Sequence, residues 1–199
     1  MSDIIVQKFG GTSVGSDERI SAVAQIIKNA KKDNQVIVVV SAMSGETNRL
    51  INLAKSFGDN PDRREFDALI STGEKVSASL LAMALNSIGV KAKSFSASQI
   101  SMKTTGHHSK AKIIDVDGEK ILATLNDDIV PIITGFQGVT ESGDVTTLGR
   151  GGSDTTAVAI AAHVNATRCD IYTDVDGIYT TDPRVVPLGS VVYLSLIHI

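Results

Sequence analysis

Residues 146–184 read TTLGRGGSDTTAVAIAAHVNATRCDIYTDVDGIYTTDPR, and this stretch decides the fold. It predicts a glycine-rich loop, a helix over residues 155–164 and a strand over residues 169–175. The helix is rich in Ala, Val and Ile with almost no polar interruption, so we expect it to be buried on most sides. Its start directs unpaired backbone N–H groups and a partial positive charge toward the glycine-rich loop.

This glycine-rich loop has the composition of an anion site. Gly149, Gly151 and Gly152 let an anion approach the backbone, and Arg150 adds a fixed charge with bidentate donors. Glycine-rich loops also precede helices that bind nothing. The pattern here matches neither the P-loop nor the Rossmann fingerprint, so neither nucleotide fold explains it. A second glycine-rich turn follows an amino-terminal strand, which favours a phosphate or carboxylate site.

Length and composition limit the classes of protein that fit. A chain of 199 residues suits one α/β domain. Its net charge is −3 and it has no basic stripe interleaved with aromatics, which argues against nucleic acid as a main partner. The single cysteine, Cys169, excludes an internal disulfide and is predicted to be a buried small hydrophobe. There is no cleavable signal and no apolar run long enough to span a bilayer, so we expect a cytoplasmic protein without a membrane partner.

Predicted strands and helices alternate along the chain. The strands cover residues 4–9, 36–40, 91–97, 129–136 and 169–175. The first helix follows an N-cap at Ser16. The other helices cover residues 46–57, 65–87 (interrupted at 71–73), 119–127 and 155–164. Hairpins are predicted at 117–118 and over 137–147. The order predicts an α/β protein, a three-layer α/β/α sandwich with a mostly parallel central sheet.

Polar residues gather where predicted strands end. In parallel sheets, ligands bind beyond the carboxyl ends of the strands, and several converging loops are what phosphoryl transfer requires. The candidates are Lys8, Ser41, Thr47, Glu74, Arg150, Ser153, Asp154, Asp174, Asp182 and Arg184. A lysine that ends an apolar strand is costly unless an anion meets it, which favours an active role for Lys8 over that of a surface lysine. His107 and His108 lack Cys or carboxylate neighbours at ligand spacing and are interpreted as surface residues; no metal-ligating residue is predicted.

Six motifs follow one another along the chain: KFGGTSV from Lys8, VSAMSG from Val40, STGE from Ser71, GFQG from Gly135, TTLGRGGSD from Thr146 and YTDVDGIYTTDPR from Tyr172. Together and in this order, they resemble the motifs of the aspartate kinases, a family of the amino-acid kinase superfamily. The resemblance covers residues 3 to about 190. It implies the amino-acid kinase fold and transfer of phosphate from ATP to the β-carboxylate of L-aspartate, the first step toward lysine, threonine and methionine. Two alternatives stay open: a kinase of the same superfamily acting on glutamate or acetylglutamate, and a non-catalytic ligand-binding protein on the same fold.

The resemblance also implies a role for each motif. The implied catalytic residues are Lys8 and Asp154. The implied ATP-binding residues are Lys8, Gly10, Gly11, Thr173, Asp174, Tyr179, Asp182 and Arg184. The implied substrate-binding residues are Ser41, Thr47, Glu74, Phe136, Arg150, Gly151, Gly152 and Ser153. Asp154 also suits a helix cap, Glu74 an exposed helix position, and Asp182 a turn before proline. Mg²⁺ is expected to accompany ATP, since the phosphates need charge neutralisation.

The carboxyl-terminal end departs from the family pattern. The resemblance places a second catalytic lysine, and regulatory ACT domains, beyond the last residue of this chain. We therefore expect residues 1–193 to be a carboxy-terminally truncated amino-acid kinase domain with little turnover alone, and the full-length protein to be a homo-oligomer. Residues 194–199, LSLIHI, match the translation of a transposase adapter used in DNA library preparation. We interpret them as a non-native tail; the alternative is a genuine short terminal strand.

Overall fold

A computed structural model describes residues 2–174 and the backbone of three short strands beyond them. The helices are α1 (Asp17–Ala30), α2 (Glu46–Lys55), α3 (Arg63–Ile70), α4 (Thr72–Ser87), α5 (Glu119–Asn126) and α6 (Gly152–His163), with a 3₁₀ turn at Ala97–Ile100. The strands are β1 (Asp3–Phe9), β2 (Asn34–Val40), β3 (Ala92–Phe95), β4 (Lys103–Thr104), β5 (Ile113–Asp115), β6 (Val130–Thr134), β7 (Gln137–Val139), β8 (Val145–Thr147), β9 (Arg168–Thr173), β10 (Ile178–Tyr179), β11 (Val191–Val192) and β12 (Leu196–His198).

The larger sheet is parallel throughout its described strands, as the sequence predicts. Its order is β12-β9-β1-β2-β6-β3, and each neighbouring pair runs in the same direction. The carboxyl ends of these strands therefore meet at one edge, where we expect a ligand. A smaller sheet, β5-β4-β7-β8, includes the predicted hairpin over 137–147 as antiparallel β7 and β8.

Two apolar clusters lie on opposite faces of the larger sheet. One joins the β2 residues Val36, Val38 and Val40 to helices α1 and α4. The other joins Ile37 and Val39 to helices α5 and α6. Since alternate strand residues face opposite sides, five consecutive apolar residues in β2 mean burial on both faces. The predicted three-layer α/β/α architecture is confirmed.

Local sequence signals explain the helix boundaries that shape the site. Ser16 accepts a hydrogen bond from the backbone N–H of Arg19 at 3.3 Å, so the predicted N-cap of α1 is confirmed. The predicted interruption at 71–73 separates α3 from α4. There the Ser71 carbonyl accepts a hydrogen bond from the Gln137 side chain at 3.0 Å. A β-carbon on Gly73 would lie 2.8 Å from that of Ala42, so α4 approaches the loop after β2 closely.

The stretch Arg63–Ser87 also bears on the predicted absence of a membrane partner. It is 25 residues long and contains an 18-residue window with a mean hydropathy of 1.2, so length and composition alone would let it cross a membrane. Half of its apolar window is buried inside the fold, and a core helix passes the same test. It is weak evidence for a membrane span.

Three local predictions are wrong. Asp117 and Gly118 do not turn a hairpin but start α5, where the Asp117 carboxylate accepts the N–H of Glu119 at 3.0 Å. Helix α6 begins three residues earlier than predicted, because Gly151 takes a φ of 75° and turns the chain directly into the helix. Cys169 is only partly buried, since it packs at the margin of the α5–α6 cluster.

Strand β12 pairs in parallel with β9. The non-native origin of residues 194–199 stays a prediction.

Candidate active site

A cavity of about 340 Å³ opens at the edge where the parallel strands end. Its walls are the loops after β1, β2, β6 and β8 together with the first turns of α2, α4 and α6. Of the residues predicted from the sequence, it brings together Lys8, Gly11, Ser41, Thr47, Glu74, Phe136, Arg150, Gly151, Gly152, Ser153 and Asp154. It is also lined by Gly149 of the predicted anion-binding loop, and by four residues that the prediction left out, Ala42, Met43, Ser44 and Gly45. The motif VSAMSG contains these four, and its position after a strand was the available signal.

Lys8 and Asp154 form an ion pair at the floor of the cavity. The Lys8 ammonium lies 2.7 Å from Asp154 Oδ1, and the two side chains are 9% and 45% exposed. Lys8 is the penultimate residue of β1, and Asp154 belongs to the first turn of α6. The N-cap of α6 is Gly151 and no side chain makes a cap hydrogen bond there, so Asp154 pairs with Lys8 and does not cap the helix. The pair fixes a nearly buried cation whose remaining N–H donors can meet an anion.

The turn after β1 requires glycine at one position above all. A β-carbon on Gly11 would lie 2.7 Å from the carbonyl oxygen of Ala42, closer than real contacts allow. The Gly11 carbonyl accepts the N–H of Ser44 at 3.1 Å, so the loops after β1 and β2 are joined backbone to backbone. Gly10 donates its N–H to the Tyr172 carbonyl at 3.2 Å and stands beside the Lys8 ammonium. The turn thus presents an open backbone surface next to a cation, as phosphate sites do.

Phe136 lines the cavity in a strained backbone conformation. Its φ is 69°, a left-handed value that bulky residues rarely adopt. Its N–H donates to Thr156 Oγ1 at 3.1 Å, and its carbonyl accepts the N–H of Leu148 at 2.9 Å. A β-carbon on Gly152 would lie 3.0 Å from the Phe136 ring. Helix α6 and the loop after β8 therefore impose this conformation, and such strain is concentrated at functional sites.

The loop after β8 carries Arg150 to the rim of the cavity. Gly149 and Gly151 flank it with φ values of 83° and 75°, which only glycine adopts readily. The Arg150 side chain is exposed, and the start of α6 faces the same space through Gly152 and Ser153. A guanidinium and a helix N-terminus together favour an anion at this wall.

Glu74 supplies the opposite charge. It lies in the first turn of α4 and is 3% exposed, so the alternative of an exposed helix glutamate is wrong. Its Oε1 accepts the N–H of Ala42 at 3.2 Å. Its Oε2 is buried without a hydrogen-bond partner among the described residues. Burial raises the pKa of Glu74 to about 7, against the lowering effect of backbone hydrogen bonds from its own N–H and that of Ala42. An unpaired buried oxygen is costly, and a cationic ligand would satisfy it.

The raised pKa predicts a pH-dependent stability. The pKa of folded Glu74 is about 7, so the side chain keeps its proton up to that pH, whereas the unfolded side chain has its ordinary pKa of 4.5. The folded state therefore binds more protons between these values, and its stability falls as pH rises through them. The quantity to compare is the free energy of unfolding of Glu74→Gln minus that of wild type. We expect this difference to be roughly 2 kcal/mol larger at about pH 8 than at about pH 5. Urea denaturation at both pH values checks this. The exposed Glu141→Gln is the control, and an equal Glu74→Gln effect at both values would contradict it.

Of the remaining predicted residues, Thr173 and Asp174 are described by the structure and do not line the cavity. Thr173 is the last residue of β9 and Asp174 follows it, and the neighbouring Tyr172 carbonyl accepts the N–H of Gly10, so both residues stand at the same sheet edge. The backbone of Tyr179 belongs to β10, and its side chain lies outside the described residues. Asp182 and Arg184 also lie outside the described residues.

The two histidines do not share one environment. His108 is not a free surface residue as predicted, because its Nδ1 lies 3.0 Å from the buried carboxylate of Asp67. His107 is exposed. Over the described residues, no group of three or more His, Cys, Asp or Glu side chains is arranged to surround a metal ion.

Comparison with known proteins identifies close relatives. The model of the "Amino acid kinase family" matches residues 3–194. The chain is 57% identical over 185 residues to a protein of Pseudomonas putida named aspartate kinase, covering 92% of this chain and 45% of that protein. The fold is similar to the crystal structure of aspartate kinase from Synechocystis, with a TM-score of 0.75, 48% identity and coverage of 94% of this chain and 31% of that one. It is similar also to E. coli aspartokinase III in complex with aspartate and ADP, with a TM-score of 0.83, 30% identity and coverage of 96% and 53%. The chain spans about half the length of the curated relatives it matches.

Proposed function

Because the chain belongs to the amino acid kinase family, we propose that its protein transfers the γ-phosphoryl group of ATP to the β-carboxylate of L-aspartate. The products are ADP and 4-phospho-L-aspartate. The observation that carries the proposal is one cavity in which the Glu74 carboxylate, whose Oε2 has no hydrogen-bond partner among the described residues, faces the same space as the Arg150 loop and the Lys8 ammonium. The E. coli relative of similar fold was crystallised with aspartate and ADP, which supports this choice of substrates.

The charges of the cavity suit an amino acid with two carboxylates. Glu74 Oε2 would accept the α-ammonium, which relieves the cost of its missing partner. Arg150 and the α6 N-terminus would bind the α-carboxylate through charge-assisted hydrogen bonds. The β-carboxylate would then point toward Lys8. The hydroxyls of Ser41, Thr47 and Ser153 lie on the same walls and can complete the polar contacts.

The chemical step is an in-line displacement at phosphorus. An oxygen of the β-carboxylate attacks the γ-phosphorus and forms the new P–O bond. The bond from that phosphorus to the β,γ-bridging oxygen breaks, and ADP leaves with the electron pair. The carboxylate is already ionised, so the attack requires no base. Lys8, oriented by Asp154 at 2.7 Å, neutralises charge on the transferring group, while the Gly10–Gly11 turn accommodates phosphate oxygens.

The residues present fit a magnesium ion that arrives with the nucleotide. Mg²⁺ is usually bound by phosphate oxygens and water plus one or two carboxylates, rather than by an all-protein cage. Asp154 and Asp174, near this sheet edge, are the acidic residues that would hold it. When bound, the ion neutralises phosphate charge.

A substrate panel tests the proposal. The gene product that carries this chain is incubated with MgATP, hydroxylamine and one amino acid at a time, and ADP and the trapped hydroxamate are measured. We expect both products with L-aspartate and neither with L-glutamate or N-acetylglutamate. Activity with one of these instead would favour a different kinase of the family. Nucleotide binding without ADP formation would favour a non-catalytic protein on this fold.

Arg150 is expected to act on aspartate rather than on ATP. Its loss removes a bidentate, charge-assisted contact, so Arg150→Ala should raise the KM for aspartate by about 10–100-fold. The KM for ATP should stay within about twofold, because the contact is made to the other substrate. Arg49→Ala, which removes an exposed arginine paired with Glu46, is the matched control. An unchanged aspartate KM in Arg150→Ala would remove Arg150 from the substrate site.

The setting of the reaction is also proposed. We expect the protein to act in the cytoplasm, where ATP is available and a lone cysteine stays reduced, at the first step toward lysine, threonine and methionine. We expect the full-length protein to be a homo-oligomer without nucleic-acid or membrane partners.

A further inference from the structure

Asp67 is a fully buried carboxylate outside the substrate cavity. It lies on α3 with 0% exposure. Its Oδ2 accepts the N–H of Thr147 at 3.0 Å and the N–H of Ser109 at 2.9 Å, and lies 3.0 Å from His108 Nδ1. Its Oδ1 accepts the hydroxyls of Thr147 at 2.7 Å and Ser109 at 3.2 Å. This many donors satisfy a buried charge, and they come from segments distant in the sequence.

The bonds to Thr147 fix the start of the Arg150 loop. Thr147 ends β8, three residues before Arg150, and both its N–H and its hydroxyl bind Asp67. Its carbonyl accepts the N–H of Ala111 at 2.9 Å. The carbonyl of Ser109 is the nearest atom to the position that a β-carbon on Gly149 would occupy, at 3.4 Å. The Arg150 loop thus starts from a strand end bound to Asp67 and runs past the 108–111 loop bound to the same carboxylate.

The helix that carries Asp67 continues to the other side of the cavity. Helix α3 passes through Ser71 into α4, whose first turn contains Glu74. The Gln137 side chain, on the strand next to β8, binds the Ser71 carbonyl. Asp67 therefore connects the segment that bears Glu74 to the segment that bears Arg150. The positions of Glu74 and Arg150, at the two ends of the proposed amino-acid site, therefore depend on the hydrogen bonds of Asp67.

We infer that Asp67 is a positioning residue that sets the separation between Glu74 and the Arg150 loop and so fits the cavity to its amino-acid substrate. This inference rests on the proposed function for the identity of the substrate. The positioning of the loop itself rests only on the hydrogen bonds. Arg64 and Asp144 join α3 to the β7–β8 hairpin through an exposed ion pair at 2.7 Å. That pair links the same elements without contacting the Arg150 loop, so its removal is a matched control.

The test compares Asp67→Asn, Thr147→Val and Arg64→Ala in the gene product. In Asp67→Asn, one carboxylate oxygen is replaced by an NH₂ group, a donor that faces other donors, so hydrogen bonds to the Arg150 loop are lost. We therefore expect the KM for aspartate to rise by about tenfold or more. We expect kcat and the KM for ATP to stay within about twofold of wild type. Thr147→Val should raise the aspartate KM by a smaller factor, and the double variant should show less than the product of the two effects. Arg64→Ala should leave all three constants unchanged.

Hydrogen exchange provides a readout that does not depend on the reaction. The amides of residues 148–152 include those of Leu148 and Gly152, which bind the Phe136 and Gly149 carbonyls. We expect them to exchange about tenfold faster in Asp67→Asn, and less so in Thr147→Val, than in wild type or Arg64→Ala. If both Asp67→Asn and Thr147→Val lower only the melting temperature and leave exchange and KM unchanged, Asp67 is merely a stabilising residue. If Asp67→Asn does not fold, Thr147→Val decides alone. If the wild type forms no ADP in response to aspartate, the proposed function is wrong. The hydrogen-exchange measurement would still test whether Asp67 positions the Arg150 loop.

Discussion

Replacing Lys8 with methionine is expected to lower kcat by about 10²–10³-fold, the usual loss when one preorganised charge is removed from a reacting centre. Methionine keeps the length and apolar stem of the side chain and removes only the ammonium. That ammonium lies 2.7 Å from Asp154, is nearly buried, and stands beside the glycine turn proposed for the phosphates. The measurement is ADP formation at saturating MgATP and aspartate.

Two comparisons make the Lys8 result specific. Lys75→Met removes an exposed lysine on α4 that does not line the cavity, and its activity should match wild type. Asp154→Ala should also nearly abolish turnover. If Asp154 acts by orienting Lys8, the Lys8→Met/Asp154→Ala double variant should be little worse than Lys8→Met alone. Near-normal turnover in Lys8→Met would overturn the proposed mechanism.

Glu74→Gln is expected to raise the KM for aspartate by about 100-fold at pH 8, because it replaces a buried charge-assisted contact to an ammonium by a neutral one. The wild type should show a matching pH dependence. The pKa of empty-site Glu74 is raised to about 7 by burial, and the ammonium ligand needs the ionised form. Protons should therefore compete with aspartate, and kcat/KM for aspartate should fall about tenfold per pH unit below pH 7.

The Glu74→Gln variant should lose that pH dependence while its KM for ATP stays close to wild type. An aspartate KM equal to that of wild type at every pH would remove Glu74 from the ammonium site. The same substitution is expected to stabilise the fold above pH 7, so stability and substrate use should move in opposite directions. This is the expected behaviour of a residue retained for binding at a cost in stability.

The parts of the fold that follow local patterns were predictable from the sequence. Five consecutive apolar residues in β2 predict burial on both faces of the sheet. The glycine turns after β1 and before α6 mark the end of a strand and the start of a helix. Lys8 was identifiable because a lysine that ends an apolar strand needs an anionic partner. Its partner, Asp154, lies in the first turn of α6 and faces the same cavity.

Long-range relations were not predictable. Asp67 resembles any polar residue of an amphipathic helix, and its partners at Ser109 and Thr147 are 42 and 80 residues away. The burial of the unpaired Glu74 oxygen depends on how closely α4 approaches Ala42. Gly73 permits this close approach, but a glycine at that position does not predict it. The left-handed backbone of Phe136 results from contacts to α6 and to the loop after β8, and no local rule places a phenylalanine there.

The most direct test of the central claim follows an oxygen atom. L-aspartate labelled with ¹⁸O in its β-carboxylate is incubated with MgATP and the gene product, and hydroxylamine then cleaves the acyl phosphate at its C–O bond. If the β-carboxylate attacks the γ-phosphorus, the released inorganic phosphate carries one oxygen from aspartate. Mass spectrometry should then find ¹⁸O in this phosphate, and none when only the α-carboxylate is labelled. Phosphate that forms in the presence of β-labelled aspartate yet lacks ¹⁸O would mean that another nucleophile, such as water, attacks ATP, and would contradict the proposed reaction.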